Sequence, residues 1–439
     1  MLWALMNFQE TLSYLLSLGH ETLAIKLGLR NTELLLESLC NPHKSFESVQ
    51  IAGTNGKGST AVMLDSMCRA ARISTGLYTS PHLVSVTERI AIGGRAISEE
   101  SFASYASEVR EAAKELLARS KLEALPTFFE QVTAIALLAF RDAGVRLAIL
   151  ETGLGGRLDA TTVAGANTVA ITPISLDHEE YLGETIEEIA YEKAAIIRRG
   201  ATAIIATQSP AVLDVILKQG NECDAKVTVD GCRSLELGAR PGGLFDVTFE
   251  TKQDRYQDVH LALRGRHQIG NAGVAIQLAE SLRRRGFEIS KAAIIKGLET
   301  AQHAGRLGAC FNDPILIDGA HNPGAALALR EYLDEFVKSP LTLVFGAMGD
   351  KRLEEMAAIL FPGLEYLVLT QPDNPRAASV QNLQRLAENF IRSEKIIPVP
   401  KSSEALQKAR GVTSSNGVIC ATGSLYLIGE LMGALQVAG

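Results

Sequence analysis

The chain has 439 residues, a length at which two or three domains are expected. Hydrophobic residues make up 46% and charged residues 21%, which is typical of a globular protein that folds in water. The net charge of -7 argues against general nucleic-acid binding, which needs a basic face. An anionic small substrate would therefore need a local group of basic side chains.

The six cysteines are scattered without a Cys-x-x-Cys pair, so they predict neither a disulfide framework nor a zinc site. We interpret them as buried small hydrophobic residues in a reducing environment. The first residues lack a basic region, and the longest apolar run, residues 132–140, suits a buried helix. We therefore expect a cytoplasmic monomer without a membrane partner. The cysteines are Cys40, Cys68, Cys223, Cys232, Cys310 and Cys420.

In chain order, residues 1–40 have apolar residues at helical spacing, which predicts a small helical preface. Short apolar strands then alternate with helices. This alternation predicts an α/β fold, with a parallel sheet covered by helices on both faces. The predicted strands cover residues 49–52, 147–151, 169–172 and 203–206, and the predicted helices cover residues 58–70, 128–142 and 186–198.

Residues 233–262 are rich in β-formers and turn residues and predict a strand-rich edge. Residues 301–313 contain glycines and turn residues and predict a linker. Strand–helix alternation then restarts. The sequence therefore predicts a larger domain over residues 1–300 and a smaller α/β domain over residues 314–439. Its predicted strands cover residues 315–318, 341–345, 366–369 and 418–421.

The strongest local signal is a glycine-rich run between a predicted strand and a predicted helix. Glycines let the backbone fold around phosphates, the helix N-terminus points amides at them, and Lys57 adds a charge. Ser59 or Thr60 offers a hydroxyl to Mg²⁺. The alternative is an ordinary turn with an exposed lysine. The run is Gly53-Thr54-Asn55-Gly56-Lys57-Gly58-Ser59-Thr60, in which Gly58 separates the lysine from the hydroxyls, unlike the usual G-x-x-x-x-G-K-[ST].

Further ordered motifs follow this loop, and together they resemble the Mur ligase superfamily, specifically folylpolyglutamate synthases and dihydrofolate synthases. The resemblance covers most of residues 50–430 and implies a Mur-ligase-like fold, with a P-loop ATPase domain and a smaller Rossmann-like C-terminal domain. The motifs are TSPHL at residues 79–83, ETGLGGRLDAT at 151–161, SLDH at 175–178, EKA at 192–194, HQIGNA at 267–272, AGR at 304–306, DGAHNP at 318–323, FGAMGDK at 345–351 and ATGSL at 421–425.

For ATP, the resemblance implies binding of the phosphates by the glycine-rich loop and by Arg306. It places Asn271 at the adenine. Asp318 would hold either the ribose or Arg306. In this family ATP cleavage drives amide bond formation.

Two Mg²⁺ sites are expected. Glu151 ends an apolar strand, where α/β sheets place ligand-binding groups, and hard oxygen ligands suit Mg²⁺. A hydroxyl of Ser59 or Thr60, together with Ser80 and ATP oxygens, would complete one site. The resemblance adds Glu151 and His178 as ligands of a second. The alternatives are an ion-paired strand end for Glu151 and a helix-capping or core role for His178.

Lys193 lies near Glu187, Glu188 and Glu192 in a predicted helix, and a solvated charged face would explain this pattern. The resemblance instead implies that Lys193 is carbamylated, which makes it an anion near the metals. The family's glycine is Ala195 here.

The folate side begins at residues 126–130, where Thr127 and Glu130 have capping-box spacing. That spacing alone predicts a helix start. The resemblance adds a pterin pocket, in which Phe129 stacks on the ring and a carboxylate accepts from its amino groups. Thr162 departs from the family's asparagine beside this pocket. The residues implied are Thr127, Phe129, Asp159 and Ala160.

On the C-terminal side, the resemblance implies that His321 faces the phosphate or the incoming glutamate, and that Lys351 and Ser424 hold the glutamate carboxylates. A surface lysine and a helix N-cap serine are the alternatives for the last two. Lys57, His178, Lys193 and His321 form the implied catalytic set.

The implied function is ATP-dependent ligation of L-glutamate to dihydropteroate, to a reduced folate, or to both, through an acyl phosphate. The alternatives are a folylpolyglutamate synthase without the dihydropteroate activity, another amino-acid ligase of the superfamily, and a nucleotide switch that does not ligate.

Overall fold

A computed structural model describes residues 5–19, 28–309 and 315–437. The predicted helical preface is present as α1 (Phe8–Ser17) and α2 (Arg30–Ser38). Asn7 starts α1 with a capping box, because its side chain accepts the Glu10 N–H and the Glu10 carboxylate accepts the Asn7 N–H.

Strands and helices alternate from residue 47 to residue 229. The elements are β1 (Glu47–Ala52), α3 (Lys57–Ala70), β2 (Thr75–Tyr78), β3 (Ile90–Ile92), β4 (Arg95–Ala96), α4 (Glu99–Ala118), α5 (Phe128–Asp142), β5 (Leu147–Glu151), β6 (Thr168–Ile171), α6 (Glu179–Leu182), α7 (Ile186–Ala194), β7 (Thr202–Ile205), α8 (Pro210–Glu222) and β8 (Lys226–Val229). The strands form one sheet in the order β4-β3-β2-β5-β1-β6-β7-β8. Neighbours from β2 to β8 are parallel, and β3 and β4 add an antiparallel edge. The predicted α/β fold is confirmed.

The apolar run at residues 132–140 is a buried helix, as predicted, and every residue of it is fully buried within α5. It packs with α4 and with Leu15 and Leu35 of the helical preface. Burial of each large apolar side chain contributes about 1.5–3 kcal/mol. Within the described residues, no helix has the length and apolar composition needed to cross a membrane.

The predicted strand-rich edge is an antiparallel sheet of three strands, ordered β11-β10-β9, which is followed by two helices. Helices α9 and α10 pack on α3, so this part of the chain covers the helix that follows the glycine-rich loop. The elements are β9 (Cys232–Arg240), β10 (Leu244–Thr251), β11 (Arg255–His260), α9 (His267–Arg284) and α10 (Lys291–Thr300).

The C-terminal part forms a third sheet, of six strands, with its own core. Its elements are β12 (Gly308–Ala309), β13 (Ile315–Ile317), α11 (Pro323–Phe336), β14 (Leu341–Phe345), α12 (Leu353–Leu360), β15 (Tyr366–Gln371), α13 (Val380–Ala387), β16 (Ile396–Lys401), α14 (Ser402–Val412), β17 (Val418–Thr422) and α15 (Leu425–Val437). The strand order is β12-β13-β17-β14-β15-β16, and only the β12–β13 pair is antiparallel.

Three expectations differ from the structure. The helix predicted over residues 186–198 ends at Ala194, because Ile196 and Ile197 turn into the core. Cys40 is exposed in a left-handed turn after α2, so its predicted burial is wrong. Cys223 and Cys232 are only partly buried, whereas Cys68 and Cys420 are buried. Cys310 and part of the predicted linker lie outside the described residues.

Candidate active site

A cavity of about 800 Å³ lies between the eight-stranded sheet and the six-stranded sheet. Its walls include residues that follow β1, β5 and β6 of the eight-stranded sheet and β13 and β17 of the six-stranded sheet, so carboxyl ends of strands from both of these sheets face it. With one exception, every residue that the sequence predicted for ATP, metal, folate or glutamate lines this cavity.

The exception is Thr60. Ser59 lines the cavity, but Thr60 is the next residue of α3, about 100° further round the helix, and its side chain is fully buried in the core. Its backbone N–H donates to Gly56 O. Ser59 is therefore the hydroxyl that faces the cavity, and a contact between Thr60 and ATP stays a prediction.

The glycine-rich loop joins β1 to α3. Gly56 has φ +88° immediately before the helix, and Asn271 Oδ1 occupies the space where a Cβ would lie. Because α3 begins at Lys57, its first N–H groups and its dipole favour an anion at this end. Lys57 Nζ donates to Gly53 O at 3.1 Å and to Thr54 O at 3.2 Å, so the lysine lies over its own loop.

Lys193 is only 5% exposed, so a solvated charged face is excluded. Its Nζ donates to Gly53 O at 2.9 Å, and the two lysines thus share one carbonyl oxygen. Burial and the charge of Lys57 lower the pKa of Lys193 to about 7. A substantial neutral fraction of this amine is therefore expected near neutral pH.

Glu151 is buried at the end of β5, and burial raises its pKa although Lys57 opposes this shift. Its Oε2 accepts the Ser80 N–H at 3.2 Å. A Cβ at Gly58 would lie 3.3 Å from Glu151 Oε2 and 2.8 Å from His303 Cε1, so a side chain here would crowd both groups. Gly58 thus keeps open the space beside this carboxylate.

The oxygens of Ser59, Ser80 and Glu151 fit Mg²⁺, which usually takes one or two protein carboxylates together with phosphates and water. Over residues 5–19, 28–309 and 315–437, no group of three or more His, Cys, Asp or Glu could hold a metal ion.

Asp177 joins the two halves of the cavity. Its Oδ1 accepts from Lys351 Nζ at 2.6 Å, and both side chains are less than 10% exposed. His178 Nε2 and His321 Nε2 lie 3.9 and 3.7 Å from its Oδ2. Burial alone would raise the pKa of Asp177, but its neighbours hold it below its usual value. Lys351 is the cation that matters near neutral pH, since both histidines are then neutral.

Burial keeps both His178 and His321 neutral near neutral pH. Burial lowers the pKa of His178 to about 3 and that of His321 to about 4, although Asp177 opposes both shifts. The Nδ1 of His321 lies 2.8 Å from Gly319 O and therefore carries the proton, which leaves Nε2 as an acceptor. A neutral imidazole is also the form in which His178 would ligate a metal.

Asn322 also connects the two halves. Its Nδ2 donates to Asp177 Oδ2 at 3.1 Å and to Asn55 Oδ1 at 3.0 Å, and its Oδ1 accepts from Asn55 Nδ2 at 3.2 Å. The same Oδ1 caps α11 by accepting the Ala325 N–H. The glycine-rich loop and the DGAHNP segment are thus held together directly.

The end of the cavity predicted for the pterin is formed by α5 and the 151–161 segment. Thr127 caps α5 in a capping box with Glu130, as predicted. Phe129 packs on Gly153, where a Cβ would lie 2.5 Å from the ring. The Asp159 carboxylate accepts from the N–H groups of Gly153 and Leu154 and from both the N–H and the hydroxyl of Thr161.

These bonds use about all the acceptor sites that a carboxylate has. In this arrangement Asp159 shapes the pocket, because it fixes the loop on which Phe129 packs. Its predicted role as a direct acceptor for the pterin ring stays a prediction.

Of the other residues predicted for the C-terminal half-site, Asp318 is 7% exposed and accepts the N–H groups of Leu307 and Ala320. Arg306 NH1 lies 3.4 Å from Gly319 O. Ser424 is 2% exposed, and its hydroxyl accepts the Tyr426 N–H at the start of α15. Ser424 therefore makes the contact of a helix-cap serine. Lys351 is not a surface lysine, because it donates to Asp177.

Four residues at the centre of the site have no role predicted from the sequence. Three of them stand inside recognised motifs, where only their bonding partners were missing. His303 lies outside every motif and gave no signal. The four are Asp177, Gln268, His303 and Asn322.

Comparison with known protein families identifies the class of protein to which this fold and cavity belong. Residues 51–279 match the Mur ligase middle domain, and residues 305–425 match the Mur ligase glutamate ligase domain. The class is therefore that of the Mur ligases.

Individual relatives narrow the class. The dihydrofolate synthase/folylpolyglutamate synthase of Bacillus subtilis is 33% identical over 95% of this chain and 97% of the relative. The Mycobacterium tuberculosis folylpolyglutamate synthase complexed with ADP superimposes with a TM-score of 0.92 at 32% identity, covering 98% of each chain. This chain belongs to the dihydrofolate synthase/folylpolyglutamate synthase family.

The chain spans about half the length of two other relatives that it matches. A probable bifunctional folylpolyglutamate synthase/dihydropteroate synthase of Haloferax volcanii is 35% identical over 97% of this chain, but the chain spans 50% of that relative's length.

Proposed function

We propose that this chain is an ATP-dependent ligase that joins L-glutamate to a folate-type carboxylate. One observation carries the proposal. A single cavity is lined by the glycine-rich loop and the buried Glu151, which follow strands of the eight-stranded sheet, and by the basic Lys351, which follows a strand of the six-stranded sheet. The ADP in the Mycobacterium tuberculosis neighbour supports ATP as the nucleotide.

The chemistry needs two steps. A carboxylate oxygen of the acid attacks the γ-phosphorus of ATP, which forms an acyl phosphate and breaks the bond to ADP. The neutral amine of glutamate then attacks the acyl carbon, loses a proton and expels phosphate. Lys57 would neutralise the phosphates, and Lys351 and Ser424 would hold the glutamate carboxylates. Contacts between the two halves, such as Asn55 with Asn322, would keep water from the acyl phosphate.

We propose two Mg²⁺ ions in this reaction, one held by Ser59 and Ser80 and one by Glu151 and His178. When bound, they would supply positive charge between the γ-phosphate and the attacking carboxylate, which otherwise repel each other. The oxygen-rich, buried surroundings of Glu151 support this assignment.

The acid is dihydropteroate, a reduced folate, or both, and we propose both. Phe129, Gly153 and Asp159 line the same end of the cavity, and the aromatic ring there supports a flat ring as ligand. The Haloferax volcanii relative is a probable bifunctional folylpolyglutamate synthase/dihydropteroate synthase, which supports dihydropteroate as a substrate of the half that this chain matches.

We propose that the chain consists of a larger domain over residues 1–300, a linker over residues 301–313 and a smaller domain over residues 314–439. We also propose that it is a monomer. The eight-stranded sheet ends at residue 229 and the six-stranded sheet starts at residue 308, which supports a boundary between them.

An assay of ADP release tests the function. Purified chain with ATP and Mg²⁺ should release ADP only when both glutamate and a pterin or folate acid are present. ADP release that ignores glutamate would indicate a nucleotide switch, and release driven by an unrelated acid would indicate another ligase of the class.

Lys193 gives a prediction that depends on pH and CO₂. Only the neutral amine reacts with CO₂ to form a carbamate, and its fraction rises as the pH passes the folded pKa of about 7. Activity at a fixed CO₂ concentration should therefore rise between pH 6 and pH 8 and fall on CO₂ depletion. Lys193→Ala should be inactive and partly rescued by formate or acetate. An active enzyme whose intact mass shows unmodified lysine, with no rescue, would exclude the carbamate.

Asp159 gives a prediction that separates the two substrates. Asp159→Ala removes a buried acceptor and leaves donors unpaired, at about 1–3 kcal/mol each. If Asp159 accepts from the pterin ring in the complex, ligation to dihydropteroate should fall by roughly 5–150-fold on that energy scale, and extension of a reduced folate less. Asp214→Ala, an exposed change in α8, is the control. Equal losses in both reactions with a lower melting temperature would limit Asp159 to holding its loop.

A further inference from the structure

His303 lies beside the hydroxyl that the proposed function assigns to Mg²⁺. It follows α10, outside every recognised motif. Its Nδ1 lies 3.1 Å from Ser59 Oγ, and its ring edge packs on Gly58 at the start of α3. The ring thus contacts the glycine-rich loop at two consecutive residues, Gly58 and Ser59.

The hydrogen bonds of Ser59 leave one lone pair unassigned. A serine hydroxyl has one proton and two lone pairs. Gln268 Nε2 donates to Ser59 Oγ at 3.2 Å, and Asn271 Nδ2 donates to Gln268 Oε1 at 2.9 Å. The second bond fixes which end of the Gln268 amide faces Ser59, because an amide nitrogen cannot accept. One lone pair of Ser59 is therefore used by Gln268.

Two tautomers of His303 have opposite consequences. If Nδ1 carried the proton, it would occupy the second lone pair and turn the hydroxyl proton of Ser59 toward the cavity, where it would oppose a cation. If Nδ1 is unprotonated, it accepts a hydrogen bond from the Ser59 hydroxyl. The second lone pair of Ser59 then faces the cavity, which Ser59 lines. Only the second arrangement presents an oxygen ligand to Mg²⁺.

We propose that His303 is a positioning residue: its Nδ1 accepts a hydrogen bond from the Ser59 hydroxyl and so orients the hydroxyl for the metal of the metal–nucleotide complex. Gln268 and His303 together would fix Ser59 in one rotational state. Removing an outer partner of a metal ligand typically weakens metal binding by about 10–100-fold.

The test measures metal binding rather than turnover, with Mn²⁺ as an EPR-visible probe in the presence of ATP. His303→Leu removes the acceptor, whereas His303→Asn can place an amide oxygen near the Nδ1 position. We expect His303→Leu to weaken Mn²⁺ binding by about 10-fold or more, and His303→Asn to restore it to within about 3-fold of the wild type. ATP binding in EDTA should be unchanged in both. His260→Leu, an exposed histidine on β11, is the control.

Unchanged Mn²⁺ binding in His303→Leu would overturn the proposal. Equal losses in the Leu and Asn variants, accompanied by weaker ATP binding in EDTA, would also overturn it, because they would show that the ring only packs. Because the inference rests on the proposed function, the wild type is measured first: a wild type that binds no Mn²⁺ with ATP would refute the proposed function itself.

Discussion

Replacing Lys57 with alanine should abolish ligation, with a loss of at least ~10³-fold in kcat/KM, the scale reported for a cation that stabilises a transferring phosphoryl group. The ammonium group lies over the loop carbonyls of Gly53 and Thr54, where the negative charge of ATP would be held. No other side chain of the loop carries a positive charge. The measurement is kcat/KM for glutamate-dependent ADP release.

The control for this variant is Lys121→Ala, which removes an exposed lysine remote from the cavity. Circular dichroism and a thermal melt should show that Lys57→Ala remains folded, since only two side-chain hydrogen bonds are lost. Turnover within a few-fold of the wild type in a folded Lys57→Ala variant would refute the phosphate-loop assignment.

Replacing Glu151 with glutamine should cost about 10²-fold or more in activity while leaving the fold intact. Loss of an outer partner of a metal ligand already costs about 10–100-fold, and a ligand itself should cost at least that. Glutamine keeps an oxygen that can accept the Ser80 N–H, but it lacks the charge. Because burial of this carboxylate is unfavourable, as its raised pKa indicates, the melting temperature should be unchanged or higher.

A titration of activity against Mg²⁺ checks the Glu151 prediction, with Glu123→Gln, an exposed glutamate, as the control. The expected result is a requirement for much more Mg²⁺ in Glu151→Gln alone. A normal Mg²⁺ titration combined with a lower melting temperature would show that Glu151 is a structural strand end.

Much of the fold was predictable because local signals agree with the tertiary structure. The strand at residues 147–151 and the helix at residues 128–142 were predicted with their observed bounds, since an apolar run and a capping box define them. Short strands such as β3 and β4 were not predicted. They have three and two residues, and their pairing, of β3 with β2 and of β4 with β3, makes them strands rather than their own sequence.

The site was predictable as a set of residues but not as a set of bonds. Motif order placed Glu151, Lys193 and Lys351 in one active site, and the structure puts all three on one cavity. Lys351 and Asp177 are 174 residues apart in the sequence. Their hydrogen bond depends on how the eight-stranded and six-stranded sheets pack, which the sequence motifs do not show. The sequence left Ser59 and Thr60 as alternatives, because only the helix phase decides which of two adjacent hydroxyls faces the cavity.

The most direct test of the proposed reaction follows oxygen from the acid to phosphate. Dihydropteroate, or a reduced folate where that is the better substrate, is labelled with ¹⁸O in its reacting carboxylate and incubated with ATP, Mg²⁺ and glutamate. An acyl phosphate predicts that each released phosphate carries one ¹⁸O from the acid and that the new amide keeps the other. Product formation with no ¹⁸O in the phosphate would contradict the acyl-phosphate ligase account.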